Sequence, residues 1–253
     1  MIRFVAMTIG NSTAALYADS GGPVSGVIRT HSDRVDAFRA DLARLLKPEG
    51  GGPVPLVVSS VNPAALDRLR GLAAEAAGVS PVVAGVDFAV PMRADVAEPE
   101  KVGPDRLLGA LAAFRRSGGP CVVVDAGTAI TVNSISADGS LVGGAIFPGL
   151  GMMARFLAQG AALLRPICLG MSAPVVGRNT VEAMAAGIFH GAAGAVAALV
   201  AGARQRVGAA APVILTGGDA PRLVDLLPAD CRTTVPDLVM EGLVLAFREW
   251  RLR

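Results

Sequence analysis

The sequence predicts an α/β fold made of two copies of one unit, and three observations lead there. Apolar runs of strand length alternate with segments of helical spacing along the whole chain. Each half opens with three successive strands: "IRFVAMTIG", "TAALYAD" and "PVSGVIRT" in the first, then "PCVVVDAGT", "AITVNSISADG" and "SLVGGAIFPG" in the second. A turn of small residues, Gly10-Asn11-Ser12 or Gly127-Thr128-Ala129, follows the first strand of each half. Two such halves, residues 1–116 and 117–253, predict duplicated α/β domains with a cleft between them. A single doubly wound sheet with accidental internal similarity is the alternative.

The elements are justified in order. Gly21, Gly22 and Pro23 turn the second strand into the third. In "RVDAFRADLARLLK", Val35, Phe38, Leu42 and Leu45 or Leu46 fall on one face, which predicts a helix. "PLVVSSV" reads as a short buried strand, "PAALDRLRGLAAEAAG" as a helix and "SPVVAGV" as another strand. "EKVGPDRLLGALAAF" starts a helix, with Pro104 suited to its first position and Asp105 complementing the positive end of its dipole. In the second half Asp138-Gly139 forms a hairpin turn. Helices follow around Leu150–Leu164 and Thr180–Val207, then the strand "PVILTGG" and terminal helices.

Composition narrows the function classes. At 253 residues the chain can bury a full core in one large domain or two smaller ones. It is 52% hydrophobic but only 4% aromatic, so Ala, Val, Leu and Ile build that core. A charged fraction of 17% leaves apolar surface to be hidden, for which a subunit interface is the natural place. The net charge of +2 is too balanced to predict a nucleic-acid or membrane partner. Cys121, Cys168 and Cys231 form no CxxC pair, which fits a reducing cytoplasm and excludes a disulfide framework or thiolate metal site. His31 and His190 are the two histidines, too few for a multi-histidine centre. His190 reads as a packed residue on a helix whose Gly187, Gly191 and Gly194 permit close approach. The N-terminus lacks the pattern of a signal peptide. No uninterrupted apolar run approaches the ~20 residues of a membrane span. The expectation is a cytoplasmic globular protein.

Several stretches carry chemistry. "VAMTIGNSTAAL" is a strand breaking into a small polar turn, where backbone N–H groups can approach a phosphate. The turn contains no carboxylate. In "CVVVDAGTAITVN", Asp125 ends a buried run just before Gly127 and Thr128. Ligands gather at such strand ends, where a carboxylate can bind a cation; an Asp shaping a β-turn is the ordinary alternative. Asp105 is either a plain helix start or a base for a substrate hydroxyl, with Arg106 gripping an anionic or polar substrate group. A helix N-terminus stabilises the carboxylate, so Asp105 would be a weak base, able to accept a proton late in a loose phosphoryl-transfer transition state. "GGAIFPGLG" and "ILTGGDAP" are glycine turns at strand ends that could pass close to a nucleotide or serve as plain turns. Thr180 stands at a helix start, where capping is the ordinary use.

Taken in order, "IGNS", "VVSSVNP", "VGPDR", "DAGTAITVN", "GGAIFPG", "GRNTVEAMAAGI" and "LTGG" resemble the type III pantothenate kinases of the acetate and sugar kinase/Hsp70/actin superfamily, nearly end to end. The resemblance implies two RNase H-like (actin-like ATPase) domains, and ATP-dependent phosphorylation of pantothenate to 4′-phosphopantothenate, the committed step toward coenzyme A. It implies Asp105 as proton acceptor, with Gly103, Pro104, Asp105, Arg106 and Thr180 binding pantothenate. ATP would meet Thr8, Ile9, Gly10, Asn11, Ser12, Thr13, Thr128, Gly217 and Gly218. ATP would come with Mg²⁺, Asp125 would hold K⁺ or NH₄⁺, and the chain would form a homodimer.

The chain also departs from the family pattern. The family's first turn reads Asp-x-Gly-Asn-Thr-Asn, whereas this chain has Thr8, Ile9, Gly10, Asn11, Ser12 and Thr13. Thr8 thus replaces an acid expected to help place metal and γ-phosphate, and Thr13 replaces an Asn. Asn133 stands where many relatives have a further polar or acidic residue. Val96 falls near the family's pocket tyrosine. Losing one anionic metal support costs on the order of several kcal/mol at the transition state. Two further readings follow from these departures. One is a catalytically lapsed homologue that binds nucleotide or ligand as a regulatory protein. The other is a related kinase for a different small hydroxylated acid.

Overall fold

The computed structural model describes residues 2–48 and 51–252. The chain divides into two compact units. One comprises Met1–Arg93, Glu98–Ala112 and Asp237–Arg253; the other comprises Ala94–Ala97 and Ala113–Pro236. The sequence boundary at residues 116/117 keeps the last helix with the second half, whereas by packing it lies in the first unit.

In the first unit, β1 (Phe4–Ile9), β2 (Thr13–Asp19) and β3 (Ile28–His31) form an antiparallel meander. Next to β1 on its other side lies β4 (Leu56–Ser60), in parallel, followed by β5 (Val82–Val83). The sheet order is β3-β2-β1-β4-β5. Strand alternation sends Val5, Met7, Ile9, Leu16, Leu56 and Val58 to one face. There they pack with Leu42 and Leu46 of α1 (Arg39–Leu46) and with Leu69 and Leu72 of α2 (Pro63–Ala77). Asn62 caps α2 by accepting the Ala65 N–H at 3.1 Å, and Gly78 ends it at φ 65°. The opposite face meets α7 (Leu238–Trp250), where the Phe4 and Phe247 rings lie edge to face with centroids 4.9 Å apart.

The second unit repeats this plan. β7 (Cys121–Ala126), β8 (Ala129–Ile135) and β9 (Ser140–Pro148) form the meander, and β10 (Val213–Thr216) lies parallel to β7. A two-residue strand, β6 (Arg93–Ala94), extends the order to β10-β7-β8-β9-β6. The series β3-β2-β1-β4 therefore matches β9-β8-β7-β10 in both order and sense, so the duplicated α/β reading is borne out. Val122, Val124, Ala126, Ile130 and Val132 face α5 (Thr180–Val207) and pack with Ile188, Phe189, Val196 and Val200.

Some elements differ from their sequence reading. β3 begins at Ile28 rather than near Pro23, because Gly26 turns the chain at φ 69° just before it. The single helix expected over residues 34–47 is a 3₁₀ segment, Ser32–Phe38, followed by α1; Arg34, at φ −112° and ψ 32°, breaks the helical path. Its apolar stripe survives the break, since Val35, Phe38, Leu42 and Leu46 are all buried. The helix expected over Leu150–Leu164 is α4 (Leu150–Gly160). Contrary to the expectation of no candidate span, α5 is long and apolar enough to cross a membrane by length and composition. The reason is an alanine-rich stretch from Ala183 to Ala203 in which His190 is the one polar side chain; Phe189, Ala192 and Val196 are spent on the core.

Within the first unit, α7 runs hard against α3 (Pro104–Ser117). A methyl group at Gly242 would collide with the Leu108 carbonyl, and Val239 lies 3.8 Å from where a Cβ on Gly109 would stand. Gly→Ala inside a helix ordinarily stabilises by about 1 kcal/mol. Here the sign reverses: Gly242→Ala should lower stability by about 3 kcal/mol through overpacking. A lower denaturant midpoint at unchanged slope would show it; a midpoint at or above wild type would refute the close approach.

Candidate functional site

The first candidate group is the turn between β1 and β2. Gly10 N–H donates to the Thr13 carbonyl at 2.8 Å, closing a tip formed by Asn11 and Ser12. Buried Ser32, the first residue after β3, holds this tip twice. Its hydroxyl donates to the Gly10 carbonyl at 2.7 Å and its N–H to the Ser12 carbonyl at 3.0 Å. Thr8 is half-buried two residues before the turn, paired with Ala15 on β2 and Ser59 on β4. Ala15 in turn pairs with Arg29. Directly paired residues share a face, so Arg29, Ala15, Thr8 and Ser59 form one row across the sheet, on the side away from α1 and α2. A carboxylate reaches this row from Asp237, just ahead of α7, which is ion-paired to Arg29.

The second group is the start of α3. The Gly103 carbonyl accepts the N–H groups of Arg106 at 3.1 Å and Leu107 at 3.3 Å, opening the helix. Asp105 Oδ1 accepts the Arg106 N–H at 2.8 Å. The carboxylate lies over Gly103, where an added Cβ would stand 2.5 Å from Oδ1 and push the carboxylate aside. Gly103, Pro104, Asp105 and Arg106 are all half-buried. Burial draws the Arg106 guanidinium below its ordinary range, and the neighbouring Asp105 charge opposes that shift.

The third group forms at the ends of β7 and β10. Asp125 pairs with Thr131 on β8 and Thr216 on β10, which puts the three side chains on the sheet face opposite α5. Asn133, two residues along β8, shares that face and donates to Thr131 Oγ1 at 2.9 Å. Gly217, at φ 96°, approaches so closely that an added Cβ would lie 2.5 Å from Asp125 Oδ1. The turn then doubles back, Asp219 N–H donating to the Ala126 carbonyl at 2.8 Å. Burial pushes the Asp219 carboxyl up, while Arg222, 3.0 Å away, pulls it back. Thr128 sits in the half-buried turn after β7, its carbonyl accepting the Gly149 N–H at 3.0 Å. "GGAIFPGLG" thus folds onto the same turn, with Gly149 too close to Gly127 and Thr128 for any side chain.

Thr180 is fixed by a fourth element, as the exposed first residue of α5. Capping falls to its neighbour: Asn179 Oδ1 accepts the Glu182 N–H at 2.9 Å, and Glu182 reaches back to the Arg178 N–H. The ordinary reading of Thr180 as the cap is therefore corrected, leaving its hydroxyl to other uses. Sequence reasoning passed over Ser32, Thr131, Thr216 and Asp219. Thr131 was accessible from the alternation of β8, which sets it with Asn133 against Ile130 and Val132; Ser32 carried no local signal.

A sequence profile described as type III pantothenate kinase matches residues 4–202. The chain belongs to the type III pantothenate kinase family. It is 35% identical to the type III pantothenate kinase of Acidiphilium cryptum (strain JF-5) over 94% of this chain and 92% of that one. It is 47% identical to that of Rhodopirellula baltica over 61% of this chain and 58% of that one. Among solved structures, the activator of 2-hydroxyisocaproyl-CoA dehydratase from Clostridium difficile, with bound ADPNP, superposes with a TM-score of 0.55 at 13% identity. That match covers 100% of this chain and 96% of the other. MreB5 of Spiroplasma citri bound to ADP gives 0.52 at 11% identity, covering 98% and 97%. These likenesses concern the fold, which is the actin-like ATPase fold of two RNase H-like domains.

Proposed function

We propose that this type III pantothenate kinase transfers the γ-phosphoryl group of ATP to the hydroxyl of pantothenate, giving 4′-phosphopantothenate and ADP. The observation that carries the reading is the start of α3, where Gly103 leaves room for the Asp105 carboxylate beside half-buried Arg106. The pantothenate hydroxyl oxygen attacks the γ-phosphorus, the bond to the bridging oxygen of ADP breaks, and the hydroxyl proton passes to Asp105. In a loose phosphoryl-transfer transition state that proton moves late, when the attacking oxygen has already lost electron density to phosphorus. Arg106 offers its guanidinium to the pantothenate carboxylate, a match of fork to fork.

The Gly10–Thr13 turn, with Thr8 and Ile9 leading into it, is proposed to receive the ATP phosphates; Thr128, Gly217 and Gly218 are also proposed as ATP contacts. Thr180 is proposed as a pantothenate contact. Among the described residues no group of three or more His, Cys, Asp or Glu side chains could cage a divalent ion. The residues accordingly fit a Mg²⁺ held by nucleotide phosphates and water, with the Thr8 hydroxyl as a neutral neighbour. When bound, that ion neutralises charge on the phosphates. Asp125 with Thr131 and Thr216 is an all-oxygen donor set with one carboxylate, which suits K⁺ or NH₄⁺. The unpaired cysteines support a cytoplasmic setting.

A homodimer is proposed through the second unit. Ile146, Phe156, Leu163, Met171, Val175, Val176 and Val181 are all exposed there, Leu163 by 91%. Apolar side chains in such number call for a cover.

Purified protein given ATP, Mg²⁺, K⁺ and pantothenate should form phosphopantothenate, and Asp105→Asn should lower kcat by about 10²–10⁴. Wild-type protein that binds ATP yet forms no product would instead establish a lapsed, ligand-binding homologue. Thr8→Asp should raise kcat if the missing acid alone limits the rate; no gain would mean that the row of Arg29, Ala15, Thr8 and Ser59 is organised around the hydroxyl. Replacing K⁺ by tetramethylammonium should weaken ATP affinity, and an unchanged affinity would remove Asp125 from cation binding. Sedimentation should give a dimer that Val176→Asp shifts toward monomer; a monomeric wild type would end the interface proposal.

A further inference from the structure

We infer that Ser32 is a positioning residue for the phosphate-binding turn, acting on ATP through the peptide planes of Gly10 and Ser12. The inference rests on the reading of Gly10–Thr13 as the turn that receives the phosphates, and it deepens that reading.

A planar trans peptide points its C=O and the following N–H in opposite directions, so whatever holds the carbonyl also aims the amide. Ser32 holds the Gly10 carbonyl with its hydroxyl, at 2.7 Å. That bond orients the Gly10–Asn11 peptide and directs the Asn11 N–H to the side away from Ser32. The Ser32 N–H holds the Ser12 carbonyl at 3.0 Å, which fixes the far corner of the same tip. The Gly10 N–H, bonded to the Thr13 carbonyl at 2.8 Å, closes the tip between them. One residue thus sets both peptide planes that flank Asn11 and Ser12. Gly10 especially needs such a constraint, because glycine otherwise leaves the backbone free to rotate.

Ser32 is itself immobilised. It is fully buried at the junction between β3 and the following 3₁₀ segment. Arg68 of α2 donates Nη2 to the Ser32 carbonyl at 3.2 Å and Nη1 to the Asp33 carbonyl at 2.8 Å. A guanidinium thus binds the backbone at Ser32, the Ser32 hydroxyl and amide bind the turn, and the turn meets phosphate. The chain of contacts runs from α2 to the tip through hydrogen bonds alone. It matters more in a turn that carries no carboxylate of its own. Such a turn relies on backbone amides already aimed before the nucleotide arrives.

The test compares Ser32→Ala with Ser32→Thr by the equilibrium affinity for a non-hydrolysable ATP analogue, by KM for ATP and for pantothenate, and by the melting midpoint. Loss of one buried hydrogen bond should weaken analogue affinity and raise KM for ATP by about fivefold to tenfold in Ser32→Ala. KM for pantothenate should stay within twofold of wild type by the same reasoning. Ser32→Thr, which keeps the hydroxyl, should recover most of the nucleotide affinity. Unchanged analogue affinity in folded Ser32→Ala would overturn the inference. So would a lower melting midpoint with both KM values unmoved, or with both raised alike, since a merely structural role predicts no selectivity for nucleotide. Should wild type make no phosphopantothenate while Ser32→Ala still loses analogue affinity and Ser32→Thr regains it, the proposed reaction falls and the role of Ser32 stands. A wild type without affinity for the analogue would overturn both.

Discussion

The contact of Gly242 with the Leu108 backbone is the constraint on which the first unit turns. It brings the last helix within backbone distance of α3, and α3 carries Asp105 at its N-terminus. Helices seldom approach so closely unless one of them offers a position without a side chain. With α7 seated there, the face of the sheet bearing Phe4, Ala6 and Thr8 is closed by Phe247 and its aromatic neighbours Phe88 and Trp250. The same helix brings Arg248 to the fully buried Asp19, so that β2, too, is tied to it. Among the described residues, that ion pair leaves Asp19 Oδ2 and Arg248 Nε without hydrogen-bond partners. A buried pair of this kind adds little net stability, but it is costly to break from one side, so it selects the position of the helix.

The two units solve the same problem with different chemistry. Each builds a polar strand end where an antiparallel hairpin meets a parallel neighbour, β4 beside β1 and β10 beside β7. In the second unit the strand end carries a carboxylate, Asp125, flanked by threonines. In the first it carries the hydroxyls of Thr8 and Ser59 in the equivalent row. The first strand end thus sets hydroxyls beside an Arg29–Asp237 ion pair, whereas the second sets a carboxylate between two threonines.

The sequence made the strands legible because their alternation is strong: β2 runs over Thr13–Asp19 as its pattern demands, and the β7–β8 turn falls at Gly127-Thr128. α5 was equally clear from its long alanine-rich stretch. The 3₁₀ segment at Ser32–Phe38 was not, because its apolar spacing is compatible with an ordinary helix and only the backbone at Arg34 breaks it. β6, with two residues, is too short for any periodic signal. The motifs at Gly10, Gly103 and Asp125 could be read as stretches of sequence. Their supports could not, because Ser32, Asp237 and Gly242 reach them from 22 to more than 100 residues away along the chain.

The membership of α7 in the first unit has a bearing on biogenesis. A ribosome releases the five strands of the first sheet early, yet the helix that covers one of its faces is synthesised after the whole of the second unit. The second unit holds an uninterrupted stretch, Ala113–Pro236, and can close on itself first. The order of maturation is then inverted relative to the order of translation, and the half that is made first spends longest with an apolar face open to chaperones.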